Sequence, residues 1–280
     1  MKKLKLFFTP IFLILFFSCS DAPIGFDGYY NYPLEEGLSW KYNRTFLMTN
    51  FRPIDSINYV PDTNSRSEII EVISEGKYTF ENGITTFVLK EQNHPISYNL
   101  IRSTYYISKP NALYRYAYSG GGVASPKTYT DLKLQFVGLN FNNIYSLINY
   151  FTEVHESHQD SLYIESPPSL VYKYPLKIGS QWNFVNNPIM KIDKEIIRKE
   201  IVSTPGGKFN SHVIKWSYKF KDAQLIDDSN ITCIEYLSSE GLIKRTFLIK
   251  NVAVIGPSNP DVIGYMDIID ELILTNISSL

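Results

Sequence analysis

The chain has 280 residues, of which 44% are hydrophobic, and 27 Lys and Arg nearly balance 28 Asp and Glu. This length suffices for one large β domain or for two of about 130 residues, each able to bury a core. The balanced charge excludes a strong overall field, so the composition does not favour nucleic acid as a partner. The 21 Tyr and 17 Phe residues, with abundant Ile, Val and Thr, favour strands over helices.

The first 18 residues predict a secretory signal peptide. Lysines near the start precede an almost uninterrupted apolar run from Leu6 to Phe17, and Ser18 and Cys19 follow it. The run has about a dozen residues, fewer than the roughly 20 that a membrane-spanning helix requires. We therefore expect residues 1–18 to direct export rather than to span the membrane permanently.

The end of this leader, Leu15 to Cys19, resembles the lipobox of bacterial lipoproteins, in which the cysteine is acylated and becomes the mature N-terminus. The resemblance implies that lipid on Cys19 anchors the protein in the bilayer, since each buried CH₂ contributes about 0.8 kcal/mol. The alternative is a plain signal peptide with Cys19 as an incidental thiol. Ser20 stands where enterobacterial lipoproteins kept in the inner membrane carry Asp, so the outer membrane is favoured, on either face. Residues 19–31 predict a polar tether that reaches at most about 40 Å.

A pattern of the form Y-P-L-x-x-G-x-x-W-x-aromatic occurs twice in the chain. Its Pro, Gly and Trp positions are Pro33, Gly37, Trp40 and Pro175, Gly179, Trp182. Because the pattern uses two of only three tryptophans, duplication explains it better than coincidence. The equivalent places of the two tryptophans predict that they pack in the core rather than form ligand platforms.

A second pair of segments supports the duplication. Residues Tyr106 to Arg115 align without a gap on Tyr236 to Arg245, with Asn111 opposite Gly241. Both residue types tolerate a left-handed backbone, so we expect a turn in each copy at this place. The repeat predicts one β module over residues 32–165 and a second over residues 166–280.

Local patterns predict several elements. The dipeptide Asn82-Gly83 predicts a tight hairpin turn, and Glu75-Gly76-Lys77 predicts another turn shortly before it. Alternation from His212 to Phe220 predicts a strand with one buried face, and apolar spacing within Phe141 to Val154 predicts a short helix. The last alternating segment, Asp267 to Ile277, is expected to close the second sheet.

The motifs of the second copy, Pro-Leu-x-x-Gly-x-x-Trp, Pro-Gly-Gly-Lys-Phe and Glu-Gly-Leu-Ile-Lys-Arg, resemble those of uncharacterised lipoproteins common in Bacteroidota. The first copy lacks the proline of the turn and the glycine of the last motif. Such modules are similar in strand order to the curved antiparallel half-barrels of lipoprotein-localisation factors. The resemblance implies an all-β fold with minor α content, built from two tandem homologous, half-barrel-like modules that are packed together or joined into one sheet.

Candidate chemistry is sparse. His155 and His158 stand three residues apart, so on a helix they would share a face and could hold a metal ion, although no third ligand is evident. A solvated polar loop is the simpler interpretation. Cys233 and His212 fall in apolar strands and are expected to be buried, while Lys191 to Lys199 is expected to form the solvent face of a strand. Neither a nucleophile elbow nor a phosphate-binding loop is present, and no cofactor is expected.

These patterns predict a lipid-anchored cell-envelope protein that is non-catalytic and binds an apolar ligand or an envelope protein partner. The aromatic clusters could line a ligand groove, but cross-strand packing explains them as well. The first alternative is a metal-dependent or other hydrolase that uses His155 and His158. The second alternative is a purely structural surface module.

Overall fold

A computed structural model describes residues 30–59, 65–94, 101–119, 133–152, 162–221, 228–256 and 261–279. Within these ranges the chain forms fourteen strands and one α-helix, which confirms the predicted all-β class. The strands are β1 Leu38–Arg52, β2 Ser65–Thr79, β3 Thr85–His94, β4 Ile101–Lys109, β5 Ala112–Ser119, β6 Lys133–Phe136, β7 Leu139–Phe141, β8 Tyr163–Lys173, β9 Gln181–Asn186, β10 Met190–Thr204, β11 Gly207–Phe220, β12 Ile231–Ser238, β13 Gly241–Ile255 and β14 Val262–Ser279. The helix α1 is Ile144–Thr152, and two short 3₁₀ helices cover Ile54–Tyr59 and Asp228–Asn230.

The strands belong to one antiparallel sheet in the order β8-β5-β4-β3-β2-β1-β14-β13-β12-β11-β10-β9, and β6, which carries β7, pairs with β13. Two six-stranded meanders follow from this order, one of β1 to β5 with β8 and one of β9 to β14. Strand β14 joins them, because Trp40 on β1 faces Ile277 and Lys244 on β13 faces Ile273. The last strand thus completes the second meander, as predicted, and also pairs with the first strand of the chain. The predicted boundary at residue 165 lies within β8, and the division into two modules stays a prediction.

The sheet is curved and nearly closed into a barrel-like shape, with β8 and β9 as its two edges. These edge strands follow each other in the chain, and we call the line along which they face each other the seam. The described residues show no ladder between them, but the indole Nε1 of Trp182 on β9 donates to the carbonyl oxygen of Val171 on β8 at 3.2 Å. Two prolines, Pro167 and Pro168, lie in β8, where missing N–H groups limit pairing at the edge.

Strand β1 shows how the interior is layered, since every second side chain from Trp40 to Met48 is buried. Residues 30–37 lead into β1, and we call them the entering segment. At the first layer Trp40 lies against Tyr32 of this segment, with ring centroids 6.3 Å apart. Tyr42 and Arg44 form the middle layer. Phe46 then meets the helix, with its ring 4.7 Å from that of Tyr145. The entering segment and α1 thus cover opposite ends of a polar middle layer.

The helix α1 is packed inside the curved sheet rather than on its surface. Four of its apolar side chains, spaced as the sequence predicted, are almost completely inaccessible to solvent: Ile144, Leu147, Ile148 and Phe151. Tyr218 on β11 donates a hydrogen bond from its hydroxyl to the carbonyl oxygen of Phe151 at 2.9 Å, which holds the end of the helix against the sheet. Burial of this face supplies the stability that so short a helix lacks by itself.

Four turn predictions are tested by the backbone. The hairpin turn at Asn82-Gly83 is confirmed, and Gly83 has a φ of 80°. The turn predicted at Glu75-Gly76-Lys77 is wrong, because β2 continues through it as a bulge in which Gly76 has a φ of 83°. At the hairpin between β12 and β13, Gly241 has a φ of 103°, whereas the equivalent Asn111 is not among the described residues with positive φ. Both segments nevertheless turn there.

Candidate functional site

Three of the residues singled out from the sequence, Cys19, His155 and His158, lie outside the described residues. Their predicted roles in lipidation and metal binding therefore stay predictions. Within the described ranges no group of three His, Cys, Asp or Glu side chains is placed to hold a metal ion. No helix within those ranges has the length and apolar character needed to cross a membrane.

The residues of the repeated motif lie at equivalent turns before strands. Gly37 and Gly179 have φ values of 86° and 84°, a conformation that favours glycine. Trp40 and Trp182 lie near the starts of β1 and β9, with 1% and 6% of their surface exposed. The indole of Trp40 donates to the carbonyl oxygen of Glu240, in the hairpin between β12 and β13, at 2.6 Å. Both tryptophans therefore pack in the core.

The prolines of the motif differ in their surroundings. Pro33 is half-buried, and Pro175 is exposed. The leucine that follows each proline, Leu34 or Leu176, is buried in the main core. The proline therefore shapes the entry to the strand, while the neighbouring leucine and the tryptophan supply the packing.

A cavity of about 150 Å³ lies in the middle layer of the interior, between the entering segment and α1. Its charged lining side chains are Arg44, Glu91, Arg102, Arg115, Lys194, Glu235 and Arg245. Its aromatic lining side chains are Tyr32, Tyr42, Tyr106, Tyr172, Phe184 and Trp216. Leucines, Ile70 and two valines form most of the remaining wall. This polar site is not among the sites predicted from the sequence.

Three of the charged lining residues belong to a row of residues that face one another across five neighbouring strands. From β12 to β2 the row is Glu235, Arg245, Leu272, Arg44 and Glu68. Asp270, whose side chain is completely buried, accepts hydrogen bonds from Nε and Nη2 of Arg44 at 2.8 and 3.2 Å. It also lies 3.7 Å from Nη2 of Arg245, so one carboxylate holds two guanidinium groups at the cavity wall. Asp270 itself is not a lining residue.

Lys194 is a buried cation surrounded by aromatic rings. Its Nζ lies 4.0 Å from the ring centroid of Trp216, 4.3 Å from that of Phe184 and 5.1 Å from that of Tyr172. It donates to Oε2 of Glu235 at 3.3 Å, and this carboxylate with the π faces replaces water around the ammonium. Burial lowers the pKa of Lys194, and Glu235 opposes that shift. The prediction that Lys191 to Lys199 forms a solvent face is wrong for Lys194, which is 1% exposed.

Two hydrogen-bond donors in the lining are buried without a partner among the described residues. They are Nε of Arg245 and the indole Nε1 of Trp216. A buried polar group left unsatisfied costs about 1–3 kcal/mol, so such groups in a folded protein usually meet water or a ligand. The cavity is therefore a place where acceptor atoms of a bound molecule would be stabilised.

The tyrosines around the cavity are neutral hydroxyl groups. Burial raises the pKa of Tyr32, Tyr42 and Tyr172 well above the usual value for tyrosine, so these side chains donate and accept hydrogen bonds without carrying charge. The hydroxyl of Tyr42 donates to the carbonyl oxygen of Leu242 at 3.0 Å. Tyr32 stacks on Tyr172, with ring centroids 5.9 Å apart, and so ties the entering segment to β8.

A larger open cleft of about 790 Å³ runs along the seam between β8 and β9. It shares two lining residues with the inner cavity, Arg115 and Phe184. Arg115 donates from Nε and Nη2 to Oε1 of Glu165 at 2.9 and 2.5 Å, and its side chain is 8% exposed. These two side chains thus form a common wall between the cleft and the cavity.

Two residues predicted to be buried, Cys233 and His212, do not contribute to the cavity. Cys233 is a free thiol with no accessible surface, and burial raises its pKa, which makes it unreactive. His212 is half-buried, and its pKa is lowered to about 4 by burial and by Lys199. Neither residue lines the cavity. The prediction that Cys233 is buried is confirmed.

Comparison with known proteins finds similarity only to solved structures, at low sequence identity. No protein-family model matches the sequence, and no functionally curated protein matches it. Two solved structures align with it: a protein of Parabacteroides distasonis assigned as a lipoprotein, at 11% identity and a TM-score of 0.39, and an exported protein with a YmcC-like fold from Bacteroides fragilis, at 12% identity and a TM-score of 0.36. Each alignment covers 90% of this chain and 100% of the other. At these TM-scores the likeness carries no argument about the site.

Proposed function

We propose that this protein is a lipid-anchored lipoprotein of the cell envelope that binds a small ligand in its inner cavity and does not alter it chemically. The observation that carries the binding proposal is the cavity whose lining holds two donors without a partner among the described residues, Arg245 Nε and Trp216 Nε1. Support for the anchor comes from the leader and from Cys19. The two parts of the proposal are separable and are tested separately.

The cavity changes the kind of ligand that we expect from the sequence. A purely apolar molecule would leave the donors of Arg245 and Trp216 unsatisfied. The lining accommodates a molecule with both polar and apolar parts. Binding without catalysis is consistent with the ion pairs around the cavity. Arg44, Arg115 and Lys194 each pair with a carboxylate that holds the cation in place.

Ligand retention tests the binding part. We expect native mass spectrometry of the protein purified from its own envelope in mild detergent to show a small molecule retained at one copy per chain. Thr104 is buried and lines the cavity, so Thr104→Phe should fill the space and abolish retention without removing a charge. Thr232→Phe is the matched control, because Thr232 alternates with inward-facing neighbours on β12 and does not line the cavity.

A second measurement covers a ligand lost during purification. Saturable binding of any small metabolite should raise the midpoint of thermal unfolding, by an amount that grows with ligand concentration. We expect such a shift for the parent protein and for Thr232→Phe, but not for Thr104→Phe. If no molecule is retained and a broad metabolite panel leaves the unfolding midpoint unchanged, the binding proposal is wrong.

The anchor is tested at Cys19. A Cys19→Ala variant should lose labelling by a radioactive fatty acid and move from the membrane fraction to the soluble fraction. Cys233→Ala is the control, since Cys233 is buried and should leave acylation unchanged. Acylation of the Cys19→Ala variant would overturn the assignment.

A further inference from the structure

The chemical class of the ligand can be argued further from the same cavity, on the basis of the proposed function. Of the described side chains that line it, five are cationic (Arg44, Arg102, Arg115, Lys194 and Arg245) and two are carboxylates (Glu91 and Glu235). Three other carboxylates, Asp270, Glu68 and Glu165, pair with the cations but do not line the cavity. The positive groups therefore lie at the cavity wall, and much of the compensating negative charge lies behind them.

The two donors that lack a partner among the described residues also favour a ligand that presents acceptor atoms. Nε of Arg245 is an N–H donor with no accepting capacity, and so is the indole Nε1 of Trp216. Both residues face the cavity that Lys194 also lines. A molecule placed there gains hydrogen bonds by presenting acceptor oxygens, and a negative charge strengthens those bonds.

The size of the cavity limits the molecule to a compact one. A volume of about 150 Å³ equals the liquid volume of roughly five water molecules, and apolar cavities of this size admit benzene. The remaining wall supplies an apolar surface, with Leu89, Leu113 and Leu242 among its members. A carboxylate on one small ring or branched chain fits this volume.

We propose that the cavity binds a small organic carboxylate with a compact apolar body, about the size of benzoate. The carboxylate accepts hydrogen bonds from Arg245 and Trp216 beside the ammonium of Lys194, and the apolar body lies against the leucine wall. The open cleft along the seam gives this molecule its approach, because Arg115 and Phe184 are common to the cleft and the cavity.

Isothermal titration calorimetry with three probes tests this class. We expect saturable binding of benzoate at one site per chain, at least tenfold weaker binding of the neutral benzamide, and at least tenfold weaker binding of inorganic phosphate, which lacks the apolar body. Benzamide binding as tightly as benzoate would overturn the role of the charge. Phosphate binding as tightly as benzoate would overturn the role of the apolar wall.

Two variants test the donors. Arg245→Met should weaken benzoate binding at least tenfold, and Trp216→Phe, which keeps an aromatic ring but removes the indole donor, should weaken it severalfold. The control is Arg198→Met, because Arg198 lies in an exposed pair with Glu200. Should Arg245→Met fail to fold, Trp216→Phe still decides the matter, and unchanged affinity in that variant overturns the proposal. If no probe binds but native mass spectrometry shows another retained molecule, this class is wrong and the proposed function stands.

Discussion

Replacing Asp270 with Asn is expected to reveal how much the buried charge network contributes to folding. Asp270 has no accessible surface and accepts two hydrogen bonds from Arg44, whose side chain is only 4% exposed. Asn keeps the shape but removes the charge, so two guanidinium groups remain beside a neutral amide. Breaking a buried ion pair in this way costs about 3–5 kcal/mol of unfolding free energy. For a chain of this size the melting temperature should then fall by roughly 6–20 °C.

Urea unfolding followed by tryptophan fluorescence measures this change. The matched control is Glu200→Gln, since Glu200 and Arg198 form an exposed pair and such pairs contribute about 0–1 kcal/mol. A loss of less than about 1 kcal/mol for Asp270→Asn would refute the argument that the network is dehydrated. Combining Asp270→Asn with Arg44→Met should recover part of the loss, because the cation that lacks a full partner is then absent.

Three further outcomes follow from the described geometry. The His212 pKa is lowered to about 4, so between pH 6.5 and 4 the unfolded chain binds a proton more readily than the folded one. The free energy of unfolding should therefore fall as the pH drops through this window. Urea unfolding of His212→Gln should show a smaller fall. Gly241→Ala should lower the melting temperature more than Gly83→Ala, since both residues have positive φ but only the Cβ at position 241 would lie 3.2 Å from the Trp40 indole nitrogen; equal effects would contradict the steric argument. The buried Cys233 thiol should react with Ellman's reagent only after urea unfolds the protein, and rapid reaction of the folded protein would contradict its burial.

Local sequence signals predicted much of the secondary structure. The Asn82-Gly83 turn and the alternation along β11 depend on a few neighbouring residues, and the structure has both. The helix predicted within Phe141 to Val154 is Ile144–Thr152, because its apolar spacing fits one buried face. At Gly76 a similar signal predicted a turn, but the structure has a bulge, because a glycine with positive φ occurs in both.

The arrangement of the strands could not be predicted in the same way. Strand β14 pairs with β1, so residues more than 230 positions apart in the chain, such as Trp40 and Ile277, face each other. Nothing in the alternation of either strand identifies the partner. Pairing of the first and last strands joins two consecutive meanders into one curved sheet. The cavity inside that sheet could therefore not be predicted from local sequence patterns either.

The sequence nevertheless contains a signal for this site. Arg44 is in phase with Tyr42 and Phe46 on the buried face of β1, and Lys194 is in phase with Ile192 and Ile196 on β10. The prediction of a solvent face for Lys191 to Lys199 rests on the many charged residues around Lys194. A charged side chain in register with an apolar face predicts a buried ion pair or a polar site.

The position of these charges argues for function rather than stability. Apolar residues of the same size would fold at least as well as buried ion pairs, which rarely repay their desolvation. The charges here are confined to the middle layer, between Trp40 with the entering segment at one end and Phe46 with α1 at the other. A chain that could fill its interior with leucine and phenylalanine instead keeps arginine and lysine around a cavity, and departures of this kind from good packing concentrate at functional sites. Ligand binding explains the buried charges of this layer, whereas packing alone does not.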